Sequence, residues 1–496
     1  MQKSLARGAG ILLPVSALPS PYGIGTFGKT AYRFIDFLKA AGQRYWQILP
    51  LCPTGFGDSP YQSVSAFAGN PYFIDLDMLI SKGLLEKKDV EEYTWSDKST
   101  EVDYALMYAN RYSVLRRAYE NSGHKRSKNY IKFVRENGEW LDEYALFMAI
   151  KDSQGGLPFS KWPEPLRMRE PAAIIRTRAE LSDDIDFHRF LQYYFFAQWD
   201  KLKAYANKNG ISIIGDVPIY VASDSADVWE YHEQFQMDKD RAPTRVAGVP
   251  PDCFSADGQL WGNPLYDWDA MKADGFAWWR RRMAMCARLY DVIRIDHFIG
   301  VVRYYSIDAA AVTAKKGRWI PGPGAELIKA IIEAVGDRKI IAEDLGEVTP
   351  RVRSLMKKFG FPGMKILRYG FDGDPQNLNL PHNYISNVVV YGGTHDNEPL
   401  VEAIDGQSRA QRRFTEQYLG ERSYRLLPRA IIRAGLASCA DVAIFQMQDY
   451  LELGGESRMN TPSTLGGNWM WRVRYALVDS SLAQRIRHMA YIYGRL

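Results

Sequence analysis

The sequence predicts an α/β protein built around a parallel sheet. Short apolar segments with the character of buried strands alternate along the chain with segments of helical spacing, and this rhythm is the signature of parallel βαβ units. Near the N-terminus, predicted strands over residues 10–15 and 45–51 flank a predicted helix over 30–41. Several of the predicted strands also end in acidic residues.

The alternation continues beyond these two strands and reaches a count of about eight. The further predicted strands cover residues 211–221, 290–298, 339–346, 364–370, 388–397 and 442–449. Helical segments lie between them, for example over 348–359. Eight parallel strands with helices between them are what a (β/α)8 TIM barrel requires, so this is the predicted architecture.

Two stretches do not fit the alternation, and we expect them to be insertions into a single catalytic domain spanning 1–496. Residues 76–202 are polar and mostly helical, and they lie between barrel strands 2 and 3. Residues 222–285 follow strand 3. They include the Gly- and Pro-rich stretch 247–264, which we expect to be neither regular helix nor regular strand.

Composition excludes several classes of protein. The net charge is +5, with 63 basic and 58 acidic residues intermixed, so no basic block favours nucleic-acid binding. The four cysteines lie far apart and form no CxxC pair, which argues against a disulfide framework or a zinc site. No apolar run suits a signal sequence or a membrane span, so we expect a soluble, cytoplasmic protein.

One predicted strand carries charged residues on a single face. Because side chains alternate between the faces of a strand, Val292, Arg294 and Asp296 share one face. Ile293 and Ile295 share the other and would pack against helices. We expect Arg294 to lower the pKa of Asp296 and to keep it ionised, which makes Asp296 a candidate nucleophile. The alternative is a structural Arg–Asp pair.

Four predicted strands carry a carboxylate near the end: Asp216, Asp296, Glu343 and Asp396. In a parallel barrel these ends open on one face, where the active sites of this fold lie. A proton donor and a nucleophile flanking one bond are what glycoside chemistry uses. Glu343 has no cation beside it on its strand, so nearby anions would raise its pKa and suit it to carry the proton. The competing interpretation is a Mg²⁺ or Mn²⁺ site.

Short motifs in a characteristic order run through nearly the whole chain. They lie at residues 13–14, 22–28, 59–63, 69–72, 215–221, 248–255, 258–264, 294–298, 342–346, 361–365, 394–397, 458–460, 468–469 and 471–472. On these motifs the chain resembles the 4-α-glucanotransferases of the amylomaltase (disproportionating enzyme) type, glycoside hydrolase family 77 of the α-amylase clan. The clan's common C-terminal β-sandwich domain is not expected here, because only a helical tail follows the last predicted strand.

The resemblance implies a retaining double displacement with three catalytic residues. Asp296 would be the nucleophile, Glu343 the general acid and base, and Asp396 the group that binds and distorts the reacting sugar. The residues implied to contact substrate are Tyr61, Asp216, Asp252, Phe254, Gln259, Trp261, Arg294, His297 and His395. Among them, Tyr61 would stack on a sugar, and the loop around Asp252 and Phe254 would be a lid over the acceptor.

The resemblance also implies the binding partners. They would be α-1,4-glucans, maltooligosaccharides and glucose, with no metal or other cofactor and no nucleic-acid or membrane partner, and the protein would be a monomer or a weak homo-oligomer. An α-amylase-like hydrolase and a catalytically silent glucan-binding module are the alternatives. Two departures from the family pattern, Glu398-Pro399 and Ser463, leave the preferred chain length open.

Overall fold

The computed structural model describes residues 2–251 and 255–496. In these ranges the chain forms the strands β1 (Gly8–Leu12), β2 (Tyr45–Gln47), β3 (Ser212–Val217), β4 (Arg245–Val249), β5 (Gln259–Pro264), β6 (Val292–Ile295), β7 (Arg303–Asp308), β8 (Arg318–Pro321), β9 (Lys339–Ala342), β10 (Gly363–Ile366), β11 (Val388–Tyr391) and β12 (Val442–Gln446). Each strand predicted from the sequence overlaps one of them.

Eight of these strands form one sheet in the order β10-β11-β12-β1-β2-β3-β6-β9, and neighbouring strands in it run parallel. The two end strands also meet. The N–H of Ala342 donates to the carbonyl of Pro362 at 3.0 Å, and the N–H of Met364 donates to the Asp344 carboxylate at 2.7 Å. The sheet therefore closes into a barrel, and the predicted (β/α)8 architecture is confirmed.

The α-helices divide into three groups along the chain. The first contains α1 (Lys29–Ala40), α2 (Leu76–Ile80), α3 (Lys88–Glu91), α4 (Tyr104–Glu120), α5 (Lys128–Ser153), α6 (Glu164–Arg167), α7 (Pro171–Glu180) and α8 (Ser182–Lys208). The second contains α9 (Ala226–Glu230), α10 (Trp268–Ala273), α11 (Ala277–Leu289), α12 (Ile299–Val302), α13 (Ala325–Val335) and α14 (Pro350–Phe359). The third contains α15 (Leu400–Asp405), α16 (Arg409–Leu419), α17 (Leu427–Ala437), α18 (Met447–Leu451) and α19 (Ser480–Ile492).

Local chemistry fixes the ends of these helices, as α14 illustrates. The Thr349 side chain accepts the N–H of Val352 at the start, where Pro350 occupies the first helical turn without losing a hydrogen bond. Gly360, with φ of 77°, ends the helix in the left-handed conformation that glycine adopts at no steric cost.

Burial follows the alternation predicted for β6. Val292 belongs to an apolar cluster inside the barrel, together with residues from the other barrel strands. Ile293 and Ile295 belong to the larger cluster between the sheet and the helices. Because Arg294 shares the inward face, a buried guanidinium lies in the upper part of the barrel, directly under the strand ends.

Helices α2 to α8 fall between β2 and β3, the place where the helical insertion 76–202 is predicted. The long helices α5 and α8 pack against each other, and α8 also packs on α1 and β3. The division of the chain into one catalytic domain with insertions at 76–202 and 222–285 stays a prediction.

The expectation that residues 247–264 are neither regular helix nor regular strand is wrong for 247–249 and 259–264, which belong to β4 and β5. With β7 and β8 they form an antiparallel sheet in the order β5-β4-β7-β8. Gly248 lets the two strands approach closely, since a Cβ at that position would lie 2.1 Å from the Gln259 carbonyl oxygen. The pairing also shifts register between Val246 and Gly248. The Gly and Pro residues of this stretch led to a prediction of loops. The pairing of β4 with β7 joins residues about 60 positions apart, so a local sequence pattern does not reveal it.

After β12 the described residues form helices α18 and α19, and α19 packs against α1. Across residues 2–251 and 255–496, none of the helices combines the length and the apolar character that crossing a membrane would need.

Candidate active site

A cleft of about 820 Å³ opens at the carboxyl ends of the barrel strands. Asp296 directly follows β6 and Glu343 directly follows β9, while Asp396 stands on the loop after β11. Backbone bonds hold the first two: the N–H of Asp296 donates to Val217 and that of Glu343 to Ile295, each at 3.0 Å. The sheet ladder thus fixes both carboxylates at neighbouring strand ends.

A buried ion cluster supports Asp296 from below. Nη1 of Arg294 lies 2.6 Å from both carboxylate oxygens of Asp216 and 2.9 Å from Oδ1 of Asp296. The Tyr61 hydroxyl donates to Asp216 at 2.8 Å. The Asp216 side chain is fully enclosed and that of Arg294 is 3% exposed, so both lie beneath the cleft floor, and contact with a ligand would need them to move.

The predicted lowering of the Asp296 pKa is wrong. Burial raises it, Arg294 opposes the shift and Asp216 adds to it, and the net pKa is about 6. The sequence shows the neighbouring cation but not the enclosure or the second carboxylate. With 27% of its side chain exposed, Asp296 faces the cleft and is mostly ionised at neutral pH.

Glu343 titrates higher than Asp296, as expected for a proton carrier. Burial and the charge of Asp296 raise the pKa of Glu343 to about 8. The N–H of His297 donates to Oε2 of Glu343, and that of Leu345 donates to Oε1 at 3.3 Å. At neutral pH, Asp296 is therefore mostly ionised and Glu343 mostly protonated.

Asp396 is held as an anion by two neighbours. Burial opposes ionisation, but the charge of His395 and hydrogen bonds from His395 and Asn460 bring the pKa of Asp396 down to about 2. The Asn460 amide donates at 2.6 Å, and Nε2 of His395 lies 3.3 Å away. Burial lowers and Asp396 raises the pKa of His395, and the net shift is upward.

His297, Trp261 and Gln259 form another part of the cleft wall. The rings of His297 and Trp261 meet edge to face at 5.0 Å, and the Trp261 indole donates to Gln259 at 3.1 Å. Burial lowers the pKa of His297 to about 4, so its ring is neutral. Within the described ranges its Nε2 has no hydrogen-bond partner, which leaves it available to a ligand hydroxyl.

Tyr61 lies in the cleft but already has a partner ring. It stacks on His395 with 4.9 Å between ring centroids, and its hydroxyl contacts Nδ1 of His395 at 3.2 Å. Trp469 packs against the same pair, 5.8 Å from Tyr61. The stacking of Tyr61 on a sugar stays a prediction.

The structure brings together the predicted residues that it describes, above or just below one cleft. Asp252 and Phe254 lie outside the described residues, so their place in a lid stays a prediction. Asn460 and Trp469 were not among the predicted site residues. Their only signal was that each falls in a stretch matching the family pattern. Among residues 2–251 and 255–496, no group of three or more His, Cys, Asp or Glu side chains is arranged to hold a metal ion.

Comparison with known proteins decides the family. A family model described as 4-alpha-glucanotransferase matches residues 13–478. The chain belongs to the 4-α-glucanotransferase family. The family and the enzyme class predicted from the sequence motifs are thereby confirmed.

Individual members of the 4-α-glucanotransferase family match over nearly their whole length. The Clostridium butyricum 4-alpha-glucanotransferase is 46% identical, over 97% of this chain and 99% of its own. The Thermus thermophilus 4-alpha-glucanotransferase is 44% identical, over 99% and 100%. The solved amylomaltase from Streptococcus agalactiae in complex with acarbose is 41% identical and superimposes with a TM-score of 0.95 over 99% of each chain.

Proposed function

We propose that the protein transfers a segment of a 1,4-α-glucan to the 4-hydroxyl of glucose or a maltooligosaccharide by a retaining double displacement. One observation carries the mechanism. The carboxyl groups of Asp296, which lines the cleft, and Glu343 stand at the ends of the paired strands β6 and β9, and they have different protonation states at neutral pH. Retaining glycoside chemistry needs one ionised and one protonated carboxyl group.

In the first step, an oxygen of Asp296 attacks the anomeric carbon of the donor glucan. The glycosidic bond breaks, and the proton of Glu343 passes to the departing oxygen, so the leaving sugar departs as a neutral alcohol. The products are a glucosyl ester on Asp296 and an ionised Glu343.

In the second step, the ionised Glu343 takes the proton from the 4-hydroxyl of an acceptor sugar. The acceptor oxygen attacks the anomeric carbon, the ester bond to Asp296 breaks, and both carboxyl groups return to their starting states. Two inversions at one carbon leave the configuration unchanged.

Asp396, His297, Gln259 and Trp261 would bind the sugars and would not form or break bonds. The anionic Asp396 can accept hydrogen bonds from hydroxyls of the reacting ring and stabilise the positive charge that develops there. The neutral His297 can bind a hydroxyl through its free ring nitrogen. Gln259 and Trp261, with the predicted lid residues Asp252 and Phe254, would hold the acceptor and exclude water, which favours transfer over hydrolysis.

The proposal also includes the predicted substrates, partners, location and domain organisation of the protein. Substrates would be α-1,4-glucans, maltooligosaccharides and glucose, with no nucleic-acid or membrane partner, and the protein would act in the cytoplasm as a monomer or a weak homo-oligomer. Residues 76–202 and 222–285 would be insertions into one catalytic domain.

Incubation with maltotriose alone tests the reaction. Transfer produces glucose together with oligomers longer than maltotriose, whereas hydrolysis produces only shorter reducing sugars. Glu343→Gln serves as the matched control, because it keeps the shape of the side chain and removes the proton. Products confined to glucose and maltose would contradict transfer, and unchanged activity of the variant would contradict the role of Glu343.

A further inference from the structure

Residues 460–468 form a loop beside the cleft whose base is fixed. The N–H of Trp469 donates to the carbonyl of Met459 at 2.7 Å, and Met459 belongs to the apolar cluster inside the barrel. The Tyr104 hydroxyl, from helix α4, donates to the carbonyl of Trp469 at 3.1 Å. The first residue of the loop, Asn460, is the amide that donates to Asp396. The loop is thus tied to the barrel and to the catalytic carboxylate.

The loop contains a tight turn with an unusual residue in it. The N–H of Thr464 donates to the carbonyl of Thr461 at 3.3 Å, with Pro462 second and Ser463 third in the turn. The φ angle of Ser463 is 63°, as a type II turn requires at its third residue, where glycine is preferred. The Asn468 side chain braces the turn by accepting the N–H of Thr461 at 2.9 Å and donating to Thr464.

Ser463 gains no hydrogen bond within the protein from this strained position. Among the described residues, its hydroxyl neither donates to nor accepts from a protein group, and its side chain is exposed on the cleft lining next to Pro462. Glycine would adopt the same backbone without the steric penalty that Cβ brings. Strained backbone of this kind concentrates at functional sites, where a side chain must be presented to a ligand.

We propose that the Ser463 hydroxyl is a specificity-determining contact that hydrogen-bonds a hydroxyl of the donor glucan chain. The inference rests on the proposed function. Asp396 follows strand β11 and His297 follows strand β6. In the closed barrel these two strands are three positions apart, with β10 and β9 between them. The turn lies on the Asp396 side of the cleft, because Asn460 at the start of the loop donates to Asp396, whereas the wall assigned to the acceptor contains Gln259 and Trp261. A serine here favours donors long enough to reach beyond the reacting sugar.

Two substitutions of Ser463 distinguish the effect of its hydroxyl from the effect of its strained backbone. Ser463→Ala removes the oxygen and keeps the strained position, whereas Ser463→Gly removes the oxygen and relieves the strain. We expect both variants to lose about three- to tenfold in kcat/KM for maltoheptaose, the effect of one neutral hydrogen bond. The loss for maltotriose should be smaller, and the KM for glucose as acceptor should not change. Only the glycine variant should gain in Tm.

Asn387 provides a matched control for strain. It also has a positive φ, 65°, but it directly precedes β11 at the amino end of the barrel. Asn387→Gly should leave the donor-length dependence of kcat/KM as it is. Wild-type donor-length dependence in Ser463→Ala would overturn the inference, whatever Ser463→Gly does.

Binding to an inactive background separates this inference from the proposed function. In Glu343→Gln protein, Ser463→Ala should weaken maltoheptaose binding by the same about three- to tenfold, measured by calorimetry. Failure of the wild-type enzyme to lengthen maltotriose would contradict the transfer reaction only. Equal maltoheptaose affinity with and without the Ser463 hydroxyl would contradict this inference only.

Discussion

At the scale of single residues, enclosure decides the chemistry of this site more than sequence neighbours do. Arg294 lies two residues from Asp296 and opposes the rise in its pKa, yet burial and Asp216 prevail. Glu343, which is 8% exposed, is shifted further by burial and by the Asp296 anion. Burial raises the pKa of both carboxyl groups, and Arg294 opposes the rise in both, but it contacts Asp296 directly and so keeps the pKa of Asp296 below that of Glu343.

The pH dependence of kcat/KM should follow from these two groups. Below about pH 6 Asp296 takes up a proton and cannot attack, and above about pH 8 Glu343 loses the proton that it must donate. We expect kcat/KM to show a bell-shaped dependence on pH. Because the two carboxyl groups interact, the two apparent pKa values of that profile describe the pair and not either residue alone. A profile that stays flat from about pH 5 to 9 would contradict the assignment.

Asn460 should matter for activity through Asp396. Its amide donates at 2.6 Å to the ionised form, so Asn460→Ala removes a bond to a charged group and raises the pKa of Asp396. We expect about a tenfold or greater fall in kcat, consistent with about 1.5–3 kcal/mol for such a bond. Asn121→Ala, at the exposed end of helix α4, is the control and should retain full activity. A wild-type kcat for Asn460→Ala would show that Asp396 does not depend on this amide.

At the scale of secondary structure, the antiparallel sheet beside the barrel positions one wall of the cleft. Strand β5 begins with Gln259 and includes Trp261, and its pairing with β4 depends on the missing side chain of Gly248. Gln259 and Trp261 therefore belong to a different sheet from the strands that carry the carboxylates. In the chain, β4 and β5 lie between β3 and β6, and β7 and β8 lie between β6 and β9.

Gly248→Ala tests this dependence. The added methyl group would overlap the Gln259 carbonyl oxygen and force β4 and β5 apart, with an expected loss of about 1–3 kcal/mol in stability. Transfer activity should fall as well, because Gln259 and Trp261 move. Gly123→Ala is the control, since a Cβ there meets no atom within 4 Å and its φ is −89°. Equal thermal stability of the two variants would contradict the close approach.

At the scale of the whole molecule, β9 and β10 are the two end strands of the sheet order, and Gln2 bonds to residues beside the place where they meet. The side-chain amide of Gln2 accepts the N–H of Ile340 at 2.7 Å and donates to its carbonyl at 2.9 Å. The backbone N–H of Gln2 donates to Phe359 at 2.8 Å. One residue thus bridges β9 and the end of helix α14, just ahead of β10.

Gln2→Ala should lower the free energy of unfolding by about 1–2 kcal/mol, because two hydrogen bonds to Ile340 are lost. Activity well below the unfolding temperature should stay at the wild-type level, since the strand ends that carry the carboxylates lie at the other end of the barrel. Lys3→Ala, an exposed neighbour, should leave stability unchanged. Denaturant unfolding of the three proteins gives the comparison.

The barrel could be predicted from the sequence because each of its strands is a short apolar segment, which can be recognised without knowing the strands that it pairs with. It placed Asp296, Glu343 and Asp396 together because parallel strands share one open edge. Contacts between segments that are distant in the chain could not be predicted from the sequence. The hydrogen bond between Asn460 and Asp396, which are 64 residues apart, is an example. The error over 247–264 and the sign of the Asp296 shift have the same origin, since strand pairing and burial arise only in the folded chain.

Trapping the covalent intermediate is the most direct test of the central claim, an ester on Asp296. With Glu343→Gln protein, α-maltosyl fluoride can form the ester without a proton donor, because fluoride is a good leaving group, while the missing base slows its transfer to an acceptor. We expect mass spectrometry of a proteolytic digest to show one maltosyl unit on the peptide that contains Asp296. A maltosyl unit on any other residue, or none under turnover conditions, would contradict the double displacement.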